Sequence, residues 1–303
     1  MFPGQGAQFV GMGRDIYDAF PAARQVFDRA DVALGFALTR LCFQGPAEKL
    51  RETVNVQAAI VAVSLALLAA IQHSSRPLAA GFSAGHSLGE YSALAAAGAI
   101  PASEAIMLAR RRGELMQEAG ALNPGAMSAV IGLDESTLET ICRETGVYIA
   151  NYNSPGQIVI SGEAAKIEAA GKQALEKGAR KVVPLEVSGA FHTPLMAPAV
   201  KGLAAVVGKV KWAEPEFPVI ANTTAEPLHS VASIKKELAG QLTHSVRWQQ
   251  SIEALTALGV DIFVEIGPGK VLAGLIKRIS PAARTVNIGD AISLREYIDR
   301  GLD

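Results

Sequence analysis

Three observations place this chain in the α/β class. Short apolar, strand-like runs alternate with helical ones from the first third onward. A glycine-flanked serine, Gly85-His86-Ser87-Leu88-Gly89, stands between a strand-like run and a helical one. Between Ala126 and Leu185 the pattern reads β-α-β-β-α-β, the split ferredoxin-like order. At 303 residues the chain is long for one core, since cores stop growing near roughly 250–300 residues. The expectation is a large part with a mostly parallel sheet, residues 1–122 and 191–303, interrupted by a ferredoxin-like small subdomain over residues 123–190.

The elements follow in order. Glu48–Ile71 is helix-rich, with an interruption near Asn55–Gln57, and Ser74–Pro77 is a loop. Leu78–Ala84 is small and apolar, as a buried strand requires. Leu88–Ala97 reads as a helix stopped by Gly98, and Ser103–Glu118 as a second, with Ser103 as its N-cap. The insert then gives strands at Ala126–Ile131, Val147–Tyr152, Gln157–Ser161 and Arg180–Leu185, helices at Asp134–Glu144 and Glu163–Lys177, and a turn at Asn153–Gly156. Beyond it come helices at Thr193–Val207 and Val231–Leu242, strands at Val219–Asn222 and Asp261–Ile266, and a helix from Gly267 through Ile279.

Composition narrows the function classes. The net charge of −1 argues against a strongly basic nucleic-acid binder. The longest apolar run, Ala58–Ile71, contains Ser64, ends at Gln72 and falls short of the roughly 18 residues of a membrane span, so it reads as a buried helix. No signal-peptide pattern opens the chain. Cys42 and Cys142 lie far apart without ligand-spaced histidines, which disfavours a disulfide framework or a zinc site and fits a reducing cytoplasm. No metal and no bound cofactor is expected.

The chemistry centres on Ser87. Gly-x-Ser-x-Gly between strand and helix is the nucleophile-elbow context, in which the hydroxyl stands at the strand end and the helix N-terminus offers N–H groups to an oxyanion. The plainer alternative, a serine that merely caps a helix, is at roughly even odds from the pentapeptide alone, and the flanking elements shift the odds toward a nucleophile. A serine needs a base. His73, His229 and His244 fall in polar segments, and His86 is too close in the chain to turn onto Ser87. His192 sits where the insert rejoins the large part, where clefts form, and carries about twice the chance of any other histidine. No Asp or Glu has an evident claim to orient it, so a backbone or amide oxygen is the alternative. Phe2-Pro3-Gly4-Gln5-Gly6 is a second glycine-rich turn after a short first strand, and Gly267-Pro268-Gly269-Lys270 lacks the phosphate-loop pattern and reads as a helix start.

Taken together, Phe2–Gly6, Gln57, Gly85–Ser92, Arg112-Gly113, Asn151–Gln157, Ala190-Phe191-His192 and Glu265–Leu272 resemble, nearly end to end, the malonyl-CoA:acyl carrier protein transacylase family, which includes the acyltransferase domains of polyketide synthases. The resemblance implies an α/β-hydrolase-like large subdomain beside the ferredoxin-like one. It implies Ser87 as nucleophile, His192 as base, and the backbone N–H groups of Gln5 and Leu88 as the oxyanion donors. It further implies Arg112 as a clamp for the malonyl carboxylate, and Gln57, Asn153 and Phe191 as substrate-binding. Phe191 matches malonyl-type members rather than those taking branched extenders, and Gln241 supplies the carbonyl that orients His192. The expected activity is transfer of malonyl from malonyl-CoA to the phosphopantetheine thiol of acyl carrier protein, in fatty acid biosynthesis. A trans-acting polyketide acyltransferase, an esterase and a non-catalytic carrier-docking module are the alternatives. Arg112 speaks against the esterase, and the intact Ser87 and His192 against the docking module. Lys177, Arg180, Lys181, Lys270, Lys277 and Arg278 are candidates for a basic rim facing the carrier.

Overall fold

The computed structural model describes residues 1–302. Four helices, α1 (Arg14–Ala19), α2 (Pro21–Leu34), α3 (Leu38–Gln44) and α4 (Ala47–Arg51), lead into α5 (Thr53–Gln72). The first third is therefore helical rather than alternating. Its short apolar runs are helix faces closing over α5. The helix break falls at Glu52, which is extended, rather than at Asn55–Gln57. By length and hydropathy α5 does meet the requirement for a membrane span. Its apolar residues point in every direction, as those of a core helix must, and it is packed among α2, the helix that follows the Ser87 turn, and the long helix after that.

Only the end of the apolar run Leu78–Ala84 is a strand, β1 (Ser83–Ala84). It is followed by α6 (Gly89–Ala96) and α7 (Ala102–Leu122). Pro101, not Ser103, precedes α7. Ser103 lies inside its first turn, and Pro101 takes the N-cap, where its missing N–H costs nothing. The insert comprises β2 (Ala126–Ile131), α8 (Glu135–Thr145), β3 (Tyr148–Ser154), β4 (Gln157–Gly162), α9 (Ala164–Glu176) and β5 (Lys181–Pro184), in the expected succession. Its strands form one antiparallel four-stranded sheet in the order β3-β4-β2-β5, with Leu138, Ile141, Ile160, Ile167 and Ala170 in a core of its own. The turn is tighter than expected: Asn153 and Ser154 remain in β3, past two register shifts, and only Pro155-Gly156 turns.

The chain then returns through α10 (Ala197–Lys209), β6 (Val219–Ile220), β7 (Pro227–Leu228), α11 (Val231–Gly240), α12 (Trp248–Ala257), β8 (Ile262–Ile266), α13 (Val271–Ile279), β9 (Arg284–Ile288) and α14 (Ala291–Arg300). β1 runs parallel to β6, and β8 parallel to β9. Met1-Phe2 stitches these pairs together. The Phe2 N–H donates to Ala84 O, the His86 N–H to Phe2 O, and the Ile266 N–H to Met1 O. The insert is tied down in turn: Val246 exchanges backbone hydrogen bonds with Ala150 and Tyr152 of β3, and Arg278 of α13 reaches Gln157 of β4.

Candidate active site

Ser87 occupies the turn between β1 and α6 with φ of 50°, a left-handed conformation that costs a non-glycine residue on the order of 1–3 kcal/mol. The flanking glycines are forced by contact. A Cβ on Gly85 would stand 2.0 Å from the Gly89 carbonyl, and one on Gly89 2.3 Å from Phe2 O. A residue that no motif pointed to, Asn222 just after β6, locks the turn. Its Oδ1 accepts the Ser87 N–H at 2.6 Å and its Nδ2 donates to Gly85 O at 2.7 Å.

His192 also has positive φ, 60°, which swings its ring back toward the turn. Its Nε2 lies 2.8 Å from Ser87 Oγ, and its Nδ1 2.9 Å from the main-chain oxygen of Gln241. A carbonyl accepts only, so Nδ1 carries the proton and Nε2 presents a lone pair to the serine hydroxyl. This places Ser87, His192 and the Gln241 carbonyl in the relation a catalytic triad requires, with a carbonyl in the carboxylate's position. Burial first, then the nearby Arg112 charge, pushes the His192 pKa from 6.5 down to about 3.

The remaining histidines are elsewhere. His73, His229 and His244 are exposed. His86 lines the cleft, but its Nε2 is held by Asn153 Oδ1 at 2.8 Å and its ring leans on Trp248. Asn153, expected as a substrate contact, has its side-chain oxygen on His86. The register shift in β3 turns its amide onto His86, and Asn151 faces the cleft instead.

Arg112 is not a surface cation like its neighbours Arg110 and Arg111. It is 1% exposed, with Nη1 donating to Gln57 Oε1 at 2.8 Å. Its Nη2 donates to Gln241 Oε1 at 2.8 Å and to Ser87 Oγ at 3.1 Å. Its Nε has no acceptor among the described residues, and burial lowers its pKa. A buried guanidinium beside the Ser87 hydroxyl, hydrogen-bonded only to neutral amides and that hydroxyl, has the charge and the donors to take an anion. Gln57 completes its own bonding through Nε2 to Met116 Sδ.

These groups line one cleft of about 280 Å3 between the two parts of the chain, with Phe191 and Gln5 on its walls and Met127 closing it from β2. Neither the Gln5 nor the Leu88 N–H has a backbone or side-chain acceptor among the described residues, which leaves two donors beside Ser87. The six basic residues suggested for the rim are all exposed.

Residues 1–288 match the acyl transferase domain family. The malonyl CoA-acyl carrier protein transacylase of Bacillus subtilis (strain 168) is 45% identical over 295 residues, 96% of this chain and 92% of that protein. The structure of the malonyl CoA-acyl carrier protein transacylase from Coxiella burnetii superposes with a TM-score of 0.96 at 36% identity, covering 100% of this chain and 96% of that one. A malonyl-transacylase solved in complex with its type II PKS acyl-carrier protein matches with a TM-score of 0.93 at 41% identity, over 98% of this chain and 97% of that one. With matches of this extent across a cleft so arranged, the chain belongs to the malonyl-CoA:acyl carrier protein transacylase family of acyl transferases.

Proposed function

We propose that this chain moves malonyl from malonyl-CoA to the phosphopantetheine thiol of acyl carrier protein through a malonyl ester on Ser87, as a step of fatty acid biosynthesis. The observation that carries this reading is the convergence of Ser87, His192 and Arg112 on one hydroxyl, a nucleophile, a base and a carboxylate receptor within hydrogen-bond reach. Malonyl-CoA and the carrier are its partners. We assign residues 1–122 and 191–303 to an α/β-hydrolase-like catalytic part and residues 123–190 to a ferredoxin-like one, with the cytoplasm, where Cys42 and Cys142 stay thiols, as its setting.

The reaction has two halves. His192 Nε2 takes the Ser87 proton as Oγ attacks the thioester carbonyl, and the charge on that oxygen falls to the Gln5 and Leu88 N–H groups. The C–S bond breaks, and the coenzyme A thiolate leaves with the proton from His192. The carrier thiol then gives its proton to the same nitrogen and attacks the ester; the ester C–O bond breaks and Ser87 Oγ takes that proton back from His192. The malonyl carboxylate displaces Ser87 Oγ from Arg112 Nη2, which fixes the acyl group and frees the hydroxyl. Phe191 and Met116 bound the space around the acyl chain. A narrow cleft protects the ester from water.

Incubation with malonyl-CoA followed by mass spectrometry tests this. A malonyl adduct on the Ser87 peptide, transferable to holo carrier protein and absent in Ser87→Ala, is expected. An adduct that survives Ser87→Ala refutes the assignment.

A further inference from the structure

We propose that Glu90, in the first turn of α6, is a positioning residue for acyl transfer: it pins the two amides, Asn222 and Gln241, that between them fix the nucleophile, the base and the carboxylate receptor. The inference rests on the acyl-transfer reading above and adds a component to it.

Glu90 is fully buried and does not line the cleft, so it meets neither substrate nor the reacting atoms. Its Oε1 accepts the Asn222 N–H at 2.9 Å and Nδ2 at 3.3 Å, and its Oε2 accepts Gln241 Nε2 at 2.5 Å. Each amide then turns its other groups to the site. Asn222 takes the Ser87 N–H and holds Gly85 O. Gln241 donates to Ser87 O at 3.0 Å and accepts from Arg112 through its side chain, while its carbonyl takes the His192 Nδ1 proton. All three groups facing Glu90 are donors, and they hold its charged form, which only accepts, against the burial that raises its pKa. An amide of the same shape would aim an N–H at a donor. A buried acid with Ser87, His192 and Arg112 each one residue beyond it is an arrangement a space-filling role does not call for.

The test is single-turnover malonylation of Ser87 in the full chain, read by quenched mass spectrometry. Glu90→Gln should slow acylation by about 10²-fold, the cost of a small displacement relayed to the reacting groups, with malonyl-CoA affinity changed less than about threefold. Long-range 1H–15N spectra should show His192 held in the Nδ1–H tautomer in the wild type and in a tautomer mixture in the variant. A wild-type acylation rate in folded Glu90→Gln overturns the proposal, and so does a slowed rate with an unchanged His192 spectrum. Should Glu90→Gln fail to fold, Glu90→Asp decides: it keeps the acid and shortens its reach by one methylene, so it should slow acylation at least about tenfold and disturb the His192 tautomer signal, and a folded Glu90→Asp with the wild-type rate and spectrum overturns the proposal. Wild type that forms no adduct would instead sink the acyl-transfer reading itself, which separates the two failures.

Discussion

Arg112→Ala separates charge recognition from catalysis. Malonyl exceeds acetyl by one carboxylate, and the only buried cation at Ser87 among the described residues is this guanidinium, 1% exposed and braced by Gln57 and Gln241. Unit charges about 4 Å apart at an effective dielectric near 20 attract by ~4 kcal/mol. Losing one partner of such a buried pair costs roughly 2–5 kcal/mol. At about 1.4 kcal/mol per decade, malonyl transfer should fall on the order of 30- to several-thousand-fold. Acetyl transfer should hold level or rise, because the variant removes a cation that a neutral acyl group leaves unpaired and that depresses His192. Arg112→Lys should restore only part, since an ammonium lacks the fork that spans two oxygens. The assay compares kcat/KM for malonyl-CoA and acetyl-CoA in wild type and both variants. An equal fall for the two substrates would refute the argument and leave Arg112 a structural brace.

Other outcomes follow from the same geometry. Because the His192 pKa is pushed down to about 3, the base stays neutral through mildly acid pH, so the acid limb of kcat/KM should lie far below 6.5, and Arg112→Ala should move it upward. His192→Ala should slow acylation by roughly 10²–10⁴-fold and His86→Ala by less, and the reverse order with both variants folded would name His86 as the base. Gly89→Ala places a methyl 2.3 Å from the Phe2 carbonyl, so thermal denaturation should report a loss of roughly 1–3 kcal/mol along with lost acylation, and wild-type values for both would refute the contact.

What was legible in the sequence was what is encoded locally. The Ser87 turn needs a left-handed serine and two glycines within five positions, so the motif states its own geometry. The insert reads correctly because each strand and helix carries its own periodicity and turn residues. The buried helix α5 was legible from its long apolar run, whereas the segment before it misled because the short apolar runs of α1–α4 imitate strands, and Leu78–Ala84 because only its last two residues pair. His192 was separable from the other histidines only by its place at a junction. Asn222 and the part played by Glu90 were invisible, since their contacts span sequence separations of 132 to 151 residues and leave no local pattern. Asn153 matched a family position, yet a shift in strand register gave its amide to His86.

The provenance of the site along the chain has a consequence for synthesis. The residues of the elbow have all been made once Gly89 is added, yet Asn222, which locks the turn, is still to come; His192 lies 105 residues beyond Ser87 and the carbonyl that orients it another 49 residues on. Between them the ribosome must deliver an entire small sheet. Long-range closures of this kind are slow and come late. A nascent chain therefore carries a serine whose turn is not yet locked and whose base is not yet oriented until residues 222 and 241 have emerged and docked. An unfinished or truncated product holds the nucleophile but is chemically silent, and turnover in a preparation counts only molecules whose two ends have met.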